Sequence, residues 1–181
     1  MGMKNLLLFS ILSILTLSVY SQEKRNPVLL APESGDSLDL GIGTAIIKIY
    51  GTSTNNAYSQ LELIEFPGYS TPLHLHPLSD EVFYIIEGTL TVYINGETQE
   101  LQKGSILVIP KGTPHAQGNF TDRKVRVLIT LSPSGFENFF VERAAIVKKH
   151  PPGTEEYGMK MMKLGETHDI KVLGPSPFEE E

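Results

Sequence analysis

Three histidines and one glutamate fall inside two glycine-punctuated blocks of this chain. The first is Gly68-(x5)-His74-x-His76-(x4)-Glu81-(x6)-Gly88, and the second is Gly104-(x5)-Pro110-x-Gly112-(x2)-His115-(x3)-Asn119. Side chains two apart on a strand share a face, so His74 and His76 project together. Glu81 opens a new strand after Pro77-Leu78-Ser79, and a bend there brings it back beside them. His115 arrives from a distant segment, set by the Pro110-Lys111-Gly112 turn and Thr113-Pro114. A lone strand histidine is ordinarily a surface or hydrogen-bonded core residue. Four such donors in this pattern read instead as a site for one divalent transition metal. Imidazole and carboxylate without thiolate suit Fe, Mn, Ni, Cu or Zn, and do not choose among them. Such a ligand set leaves positions open for substrate, water or dioxygen.

The elements that must carry these residues read as strand after strand. TAIIKIY (44–50), QLELIEF (60–66), EVFYIIE (81–87), TLTVYI (89–94), SILVI (105–109) and KVRVLITL (124–131) are rich in β-branched and aromatic residues. Several alternate apolar with polar positions, the sign of a half-buried strand. Asn95-Gly96 is the strongest hairpin signal, because both residues tolerate positive φ. Short strands at this spacing predict an all-β antiparallel sandwich or small barrel. After Pro133 the pattern changes. Phe136 to Lys149 predicts an amphipathic helix with an aromatic face on the barrel, ended by Pro151-Pro152-Gly153. A second short helix over 154–164 and an extended tail over 173–177 complete the chain. No internal repeat and no second domain are evident.

The chain has 181 residues, and its first 21 read as a secretory signal peptide. Lys4 precedes the uncharged run Leu6 to Val19, too short for a membrane span of about 20 residues. Cleavage after Ser21 is expected, leaving a secreted or periplasmic protein with no stable membrane association. An uncleaved anchor is the rival reading. Residues 22–43 read as an arm, 44–132 as the barrel, and 133–181 as a helical extension and tail. Fifteen basic against 21 acidic residues, with no basic run, argue against nucleic acid and anionic membrane surfaces. No cysteine is present, so stability rests on the core, on metal or on association. Sheet edges and the arm leave a homodimer as one association the sequence allows.

At every fixed position the two blocks resemble the paired motifs of the cupin superfamily. The resemblance is strong over about residues 58–132 and weaker through the stretch 132–140 to the Leu-Gly-Pro tail. That later pattern looks like small single-domain bacterial cupins described as quercetin dioxygenase-like. The resemblance implies a cupin-type jelly roll, or double-stranded β-helix, with His74, His76, Glu81 and His115 as metal ligands inside it. It also implies that Gly68, Gly88, Gly104, Pro110 and Gly112 are turn-formers and that Asn119 shapes a strand end. Reaction type is not implied, because similar cupins include dioxygenases, isomerases, lyases and binding proteins.

Other residues carry weaker expectations. His150 and His168 read as solvent-exposed. Gln117 shares the face of His115 and either lines the pocket or makes a structural hydrogen bond. Phe83 and Ile85 share the face of Glu81, as inner wall or as core. Met159, Met161 and Met162 read as helical core packing, and Tyr69 as a pocket closure or barrel cap. The leading functional expectation is a metal-dependent dioxygenase of a small enolic, phenolic or flavonol-like substrate, with Glu81 doubling as general base. Its alternatives are a metal-dependent isomerase or lyase and a non-catalytic small-molecule-binding protein.

Overall fold

The computed structural model describes residues 26–178. The signal peptide read from the sequence lies outside the described residues. Eleven strands form two antiparallel sheets, and two helices follow them before the last strand. The strands are β1 Asp36–Asp39, β2 Gly43–Ile49, β3 Ser59–Glu65, β4 Leu73–Leu75, β5 Asp80–Glu87, β6 Thr89–Ile94, β7 Glu97–Gln102, β8 Ile106–Ile109, β9 His115–Gly118, β10 Val125–Ser132 and β11 Lys171–Gly174. Helix α1 covers Glu137–Val147 and α2 covers Glu155–Gly165. One sheet runs β1-β2-β3-β10-β5-β8 and the other β11-β4-β9-β6-β7. This is the jelly roll with C-terminal helices expected from the sequence.

Alternation explains the core. Leu61 and Leu63 of β3, Phe83 and Ile85 of β5, and Val125, Val127, Ile129 and Leu131 of β10 all point inward and are buried. Register aligns them, with Ile129 opposite both Leu61 and Phe83. Leu90 and Val92 of β6 close the core from the other sheet. The Asn95-Gly96 hairpin forms as its chemistry demands: Ile94 pairs with Glu97, and the turn residues take φ of 54° and 85°.

Two boundaries differ from those read in the sequence. Asp36–Asp39, inside the span read as an arm, is a strand paired with β2 in a register from Asp36↔Ile47 to Asp39↔Thr44. Its polar composition hid it, since only Leu38 carries an apolar signal. The residues before it are tied to the sheet by Arg126 on Glu33 (3.2 Å) and by Lys48 Nζ donating to the Ser34 carbonyl (2.8 Å). At the other end, the tail is not merely an extension. Strand β11 pairs with β4, placing Val172 opposite His74.

Helix α1 buries Phe136, at its entry, with Phe139, Phe140 and Arg143. Its start is pinned by Glu137, whose carboxylate accepts from Gly51 N (2.9 Å) and Gly135 N (2.6 Å). Helix α2 begins at Thr154, whose hydroxyl accepts from Tyr157 N (3.2 Å), with Glu155 and Glu156 in the first turn. Among the described residues no helix is long and apolar enough to cross a membrane.

Candidate metal centre

Pairing between β4 and β9 sets His74 directly opposite His115, with ring centroids 4.3 Å apart. His76 follows one residue past β4, its carbonyl held by Gly112 N (2.8 Å). Gly112 makes that turn at φ 78°, which glycine adopts without strain. Glu81 enters from the opposite sheet, on β5 between Leu131 of β10 and Ile109 of β8. All four expected residues therefore meet, each no more than 6% exposed. The three imidazoles are the tightest group, offering ring nitrogens within 4.8 Å of one another. Glu81 flanks them, with Oε2 3.0 Å from His115 Nε2 and 3.7 Å from His76 Nε2.

Hydrogen bonding decides which ring nitrogens face inward. His74 Nδ1 donates to the Pro72 carbonyl (2.9 Å), His115 Nδ1 to the Thr113 carbonyl (2.9 Å), and His76 Nδ1 to the Asp169 carbonyl. A backbone carbonyl can only accept, so each Nδ1 carries a proton and Nε2 is the ring nitrogen left to face the site. Two of the buried atoms turned to one another, His115 Nε2 and Glu81 Oε2, make no hydrogen bond of acceptable geometry. A cation at this contact, a proton on His115 or a metal ion, would satisfy both atoms. The donor set thus fits a divalent metal, with each imidazole fixed in the tautomer that coordinates.

Electrostatics distinguish His74 from His115. Burial, then the neighbouring His115, push His74 down to about 3, so it stays a neutral donor. Burial also opposes charge on His115, but the hydrogen-bonding reach and charge of Glu81 outweigh it and raise that histidine. Burial likewise favours a protonated Glu81, yet His115, His76 and His74 together hold its carboxyl below the usual range.

His74, His76 and Glu81 line a cavity of about 430 Å³. Its wall is largely apolar, with Leu63, Ile129, Phe136, Phe139 and Phe140 lining it. Phe136 packs edge-on against His76 at 4.5 Å between centroids. Gln117 lines the cavity and also makes the structural bond, donating Nε2 to Glu65 Oε1 (2.5 Å). Tyr69 lines it too, almost wholly buried. Asn119 ties its strand end to the Glu65 and Arg123 carbonyls at 2.9 and 2.7 Å.

Some expectations need correction. His168 is not solvent-exposed: its side chain is 10% accessible, pairs with Glu142 at 3.4 Å and lies against the Phe139 ring. His150 is half-buried beside Glu156 (3.2 Å). Phe83 and Ile85 are core rather than cavity wall. Met159 and Met162 are exposed rather than core, and Met161 and Met162 border the cavity.

Sequence reasoning also passed over Glu65 and Asp169. Glu65 is fully buried at the end of the inward row Ser59, Leu61, Leu63, and burial pushes its carboxyl up to about 8 against the donor from Gln117. That inward row was readable, since an acid continues an apolar period-2 stripe. Asp169 left no signal, because its contact with His76 joins residues 93 apart.

Comparison with known proteins matches this geometry. Residues 64–131 match the family model described as Cupin domain. The tetracenomycin polyketide synthase protein TcmJ of Streptomyces glaucescens is 36% identical over 81 residues, 45% of this chain and 53% of that protein. Quercetin 2,3-dioxygenase of Bacillus subtilis is 31% identical over 102 residues, 56% of this chain and 30% of the enzyme. The chain thus spans about half the length, or less, of these two curated relatives. Among solved structures, KdgF from Halomonas sp. superposes with a TM-score of 0.56 at 18% identity, over 62% of this chain and 99% of that one. The matched motifs, the two-sheet barrel and the histidine cluster inside it come to one conclusion: residues 64–131 carry a segment similar to the cupin domain.

Proposed function

We propose that the protein is an exported, metal-dependent oxidoreductase, a dioxygenase of a small enolic, phenolic or flavonol-like substrate. One observation carries the reading: three clustered imidazoles, each held by a carbonyl at Nδ1, stand with Glu81 beside a largely apolar cavity that His74, His76 and Glu81 line. His74, His76, Glu81 and His115 would hold one divalent transition metal, which supplies Lewis acidity and a meeting point for substrate oxygen and dioxygen. The quercetin dioxygenase relative supports the choice of reaction, and the uncharged run before residue 20 supports export.

The residues divide the remaining work. Phe136, Phe139 and Phe140 exclude water and give a flat ring a face to lie on. Glu81 is the one carboxylate among the described cavity-lining residues. Ionised by its three histidine neighbours, and with Oε2 free of a hydrogen-bond donor, it accepts the proton of an entering hydroxyl group. Gln117, fixed by Glu65, presents a polar edge within the same wall.

Elemental analysis of the protein purified from its own host, beside His76→Ala, tests the metal. Near-stoichiometric Fe, Mn, Ni or Cu in the native protein and its loss in the variant are expected. Oxygen uptake with flavonols and enols then tests the reaction. Turnover that consumes no oxygen would move the assignment to an isomerase or lyase, and absence of metal from both proteins would overturn it.

A further inference from the structure

Arg143 sits on α1 and lines the same cavity as His74, His76 and Glu81, yet it is only 9% exposed. Its guanidinium makes no ion pair with any described residue, and its Nε has no hydrogen-bond partner. The side chains that approach it are two phenols, Tyr69 and Tyr157, which also line the cavity. The half-buried Arg126 shows the ordinary arrangement, with Glu33, Glu62 and Glu87 all within 3.8 Å. The buried acids near the cavity are committed elsewhere. Glu65 is bonded to Gln117, and Glu81 faces His115 and His76. Arginine is charged at any accessible pH, and a buried charge without a counter-charge is costly.

We propose that Arg143 is the anion-recognition group of this cavity, and that the substrate is an enolic or phenolic compound bearing one carboxylate. Its carboxylate would lie on the guanidinium, with the rest of the molecule reaching along the apolar wall toward the histidines. The inference deepens the function proposed above and rests on the same cavity being the binding site. Chemistry favours a carboxylate. A single guanidinium fork matches its two oxygens in one plane, and Tyr69 and Tyr157 add neutral hydroxyl groups rather than further charge. The phenylalanine side chains lining the same cavity suit a conjugated or aromatic body.

The test is calorimetric titration with cinnamate and with cinnamamide, which share a shape and differ in charge. Wild-type protein is expected to bind the acid at least about tenfold more tightly than the amide. Arg143→Met, close in length and uncharged, is expected to lose that preference, and Arg143→Lys to keep only part of it. Equal binding of acid and amide by wild-type protein, or no binding of either, overturns the proposal without needing a variant. So does a preference that survives in Arg143→Met. Two controls separate this idea from the metal assignment. Arg143→Met is expected to retain metal by elemental analysis. His115→Ala is expected to lose metal while still preferring cinnamate. Wild-type protein that carries no metal yet prefers cinnamate would sink the metal centre alone, and wild-type protein that carries metal without the preference would sink the anion subsite alone.

Discussion

Glu65 shows how much one buried side chain can govern. It is fully enclosed, one oxygen accepts from Gln117, and the other has no partner. Burial raises its carboxyl to about 8, so the folded protein keeps the proton that the unfolded chain releases near 4.5. A raised folded-state value stabilises fully below the unfolded value and is lost as pH climbs to the folded one. Between pH 5 and 8 the unfolded state therefore binds fewer protons, and this residue lowers stability by up to about 1.4 kcal/mol per pH unit. Glu65→Gln keeps the shape and the acceptor for Gln117 but cannot ionise. Urea midpoints measured from pH 5 to 8 should fall less steeply in the variant, which becomes the more stable protein at pH 8. Parallel curves for the two proteins would refute the assignment. The four motif residues were legible because ligand chemistry restricts residue type and spacing together. Glu65 was legible only in principle, as an acid on an apolar stripe, and Arg143 was visible merely as a helical position.

At the scale of elements, most strands could be read because alternation is a local property. β3, β5, β6 and β10 lie within a residue of the spans their patterns define, and Asn95-Gly96 encodes its own turn. β1 and β11 escaped, since each owes its existence to a partner strand rather than to an apolar pattern. The turn after α2 matters most for function. Asp169 Oδ1 accepts from Leu78 N (2.8 Å), and the carbonyl of the same residue accepts from His76 Nδ1. One residue thereby fastens the C-terminal segment over β4 and sets the tautomer of a candidate ligand. Asp169→Ala removes the tether but not the carbonyl, which is then free to drift from His76. Removing an outer hydrogen-bond partner of a metal ligand typically costs 10- to 100-fold in affinity, and about tenfold is expected here. Competition with a chromogenic chelator measures it, and an unchanged metal affinity in Asp169→Ala would show that His76 orients itself.

Taken whole, the molecule builds its cavity from parts that no short stretch of sequence brings together. Glu81 belongs to one sheet, His74 and His115 to the other, and His76 just follows the second sheet's β4. The helices add the aromatic side chains and Arg143, and β11 closes over the strand that bears His74. A fold class could be inferred from periodicity, whereas this enclosure depends on which distant segments pack. It also has an energetic consequence. A metal held by residues from both sheets binds the folded chain and not the unfolded one, and the protein has no cysteine to form a covalent staple. It would also satisfy Glu81 Oε2 and His115 Nε2, which lie 3.0 Å apart without a hydrogen bond of acceptable geometry. Free metal at 100 times its dissociation constant adds about 2.7 kcal/mol to stability. In a domain of this size that corresponds to a rise in Tm of roughly 5–11 °C. Chelation should therefore lower the melting midpoint of wild-type protein by that amount, and re-addition of metal should restore it. His76→Ala should melt at nearly the same temperature with and without chelator. If wild-type protein is equally insensitive, the two sheets hold together without an ion, and the histidine cluster contributes nothing to their cohesion.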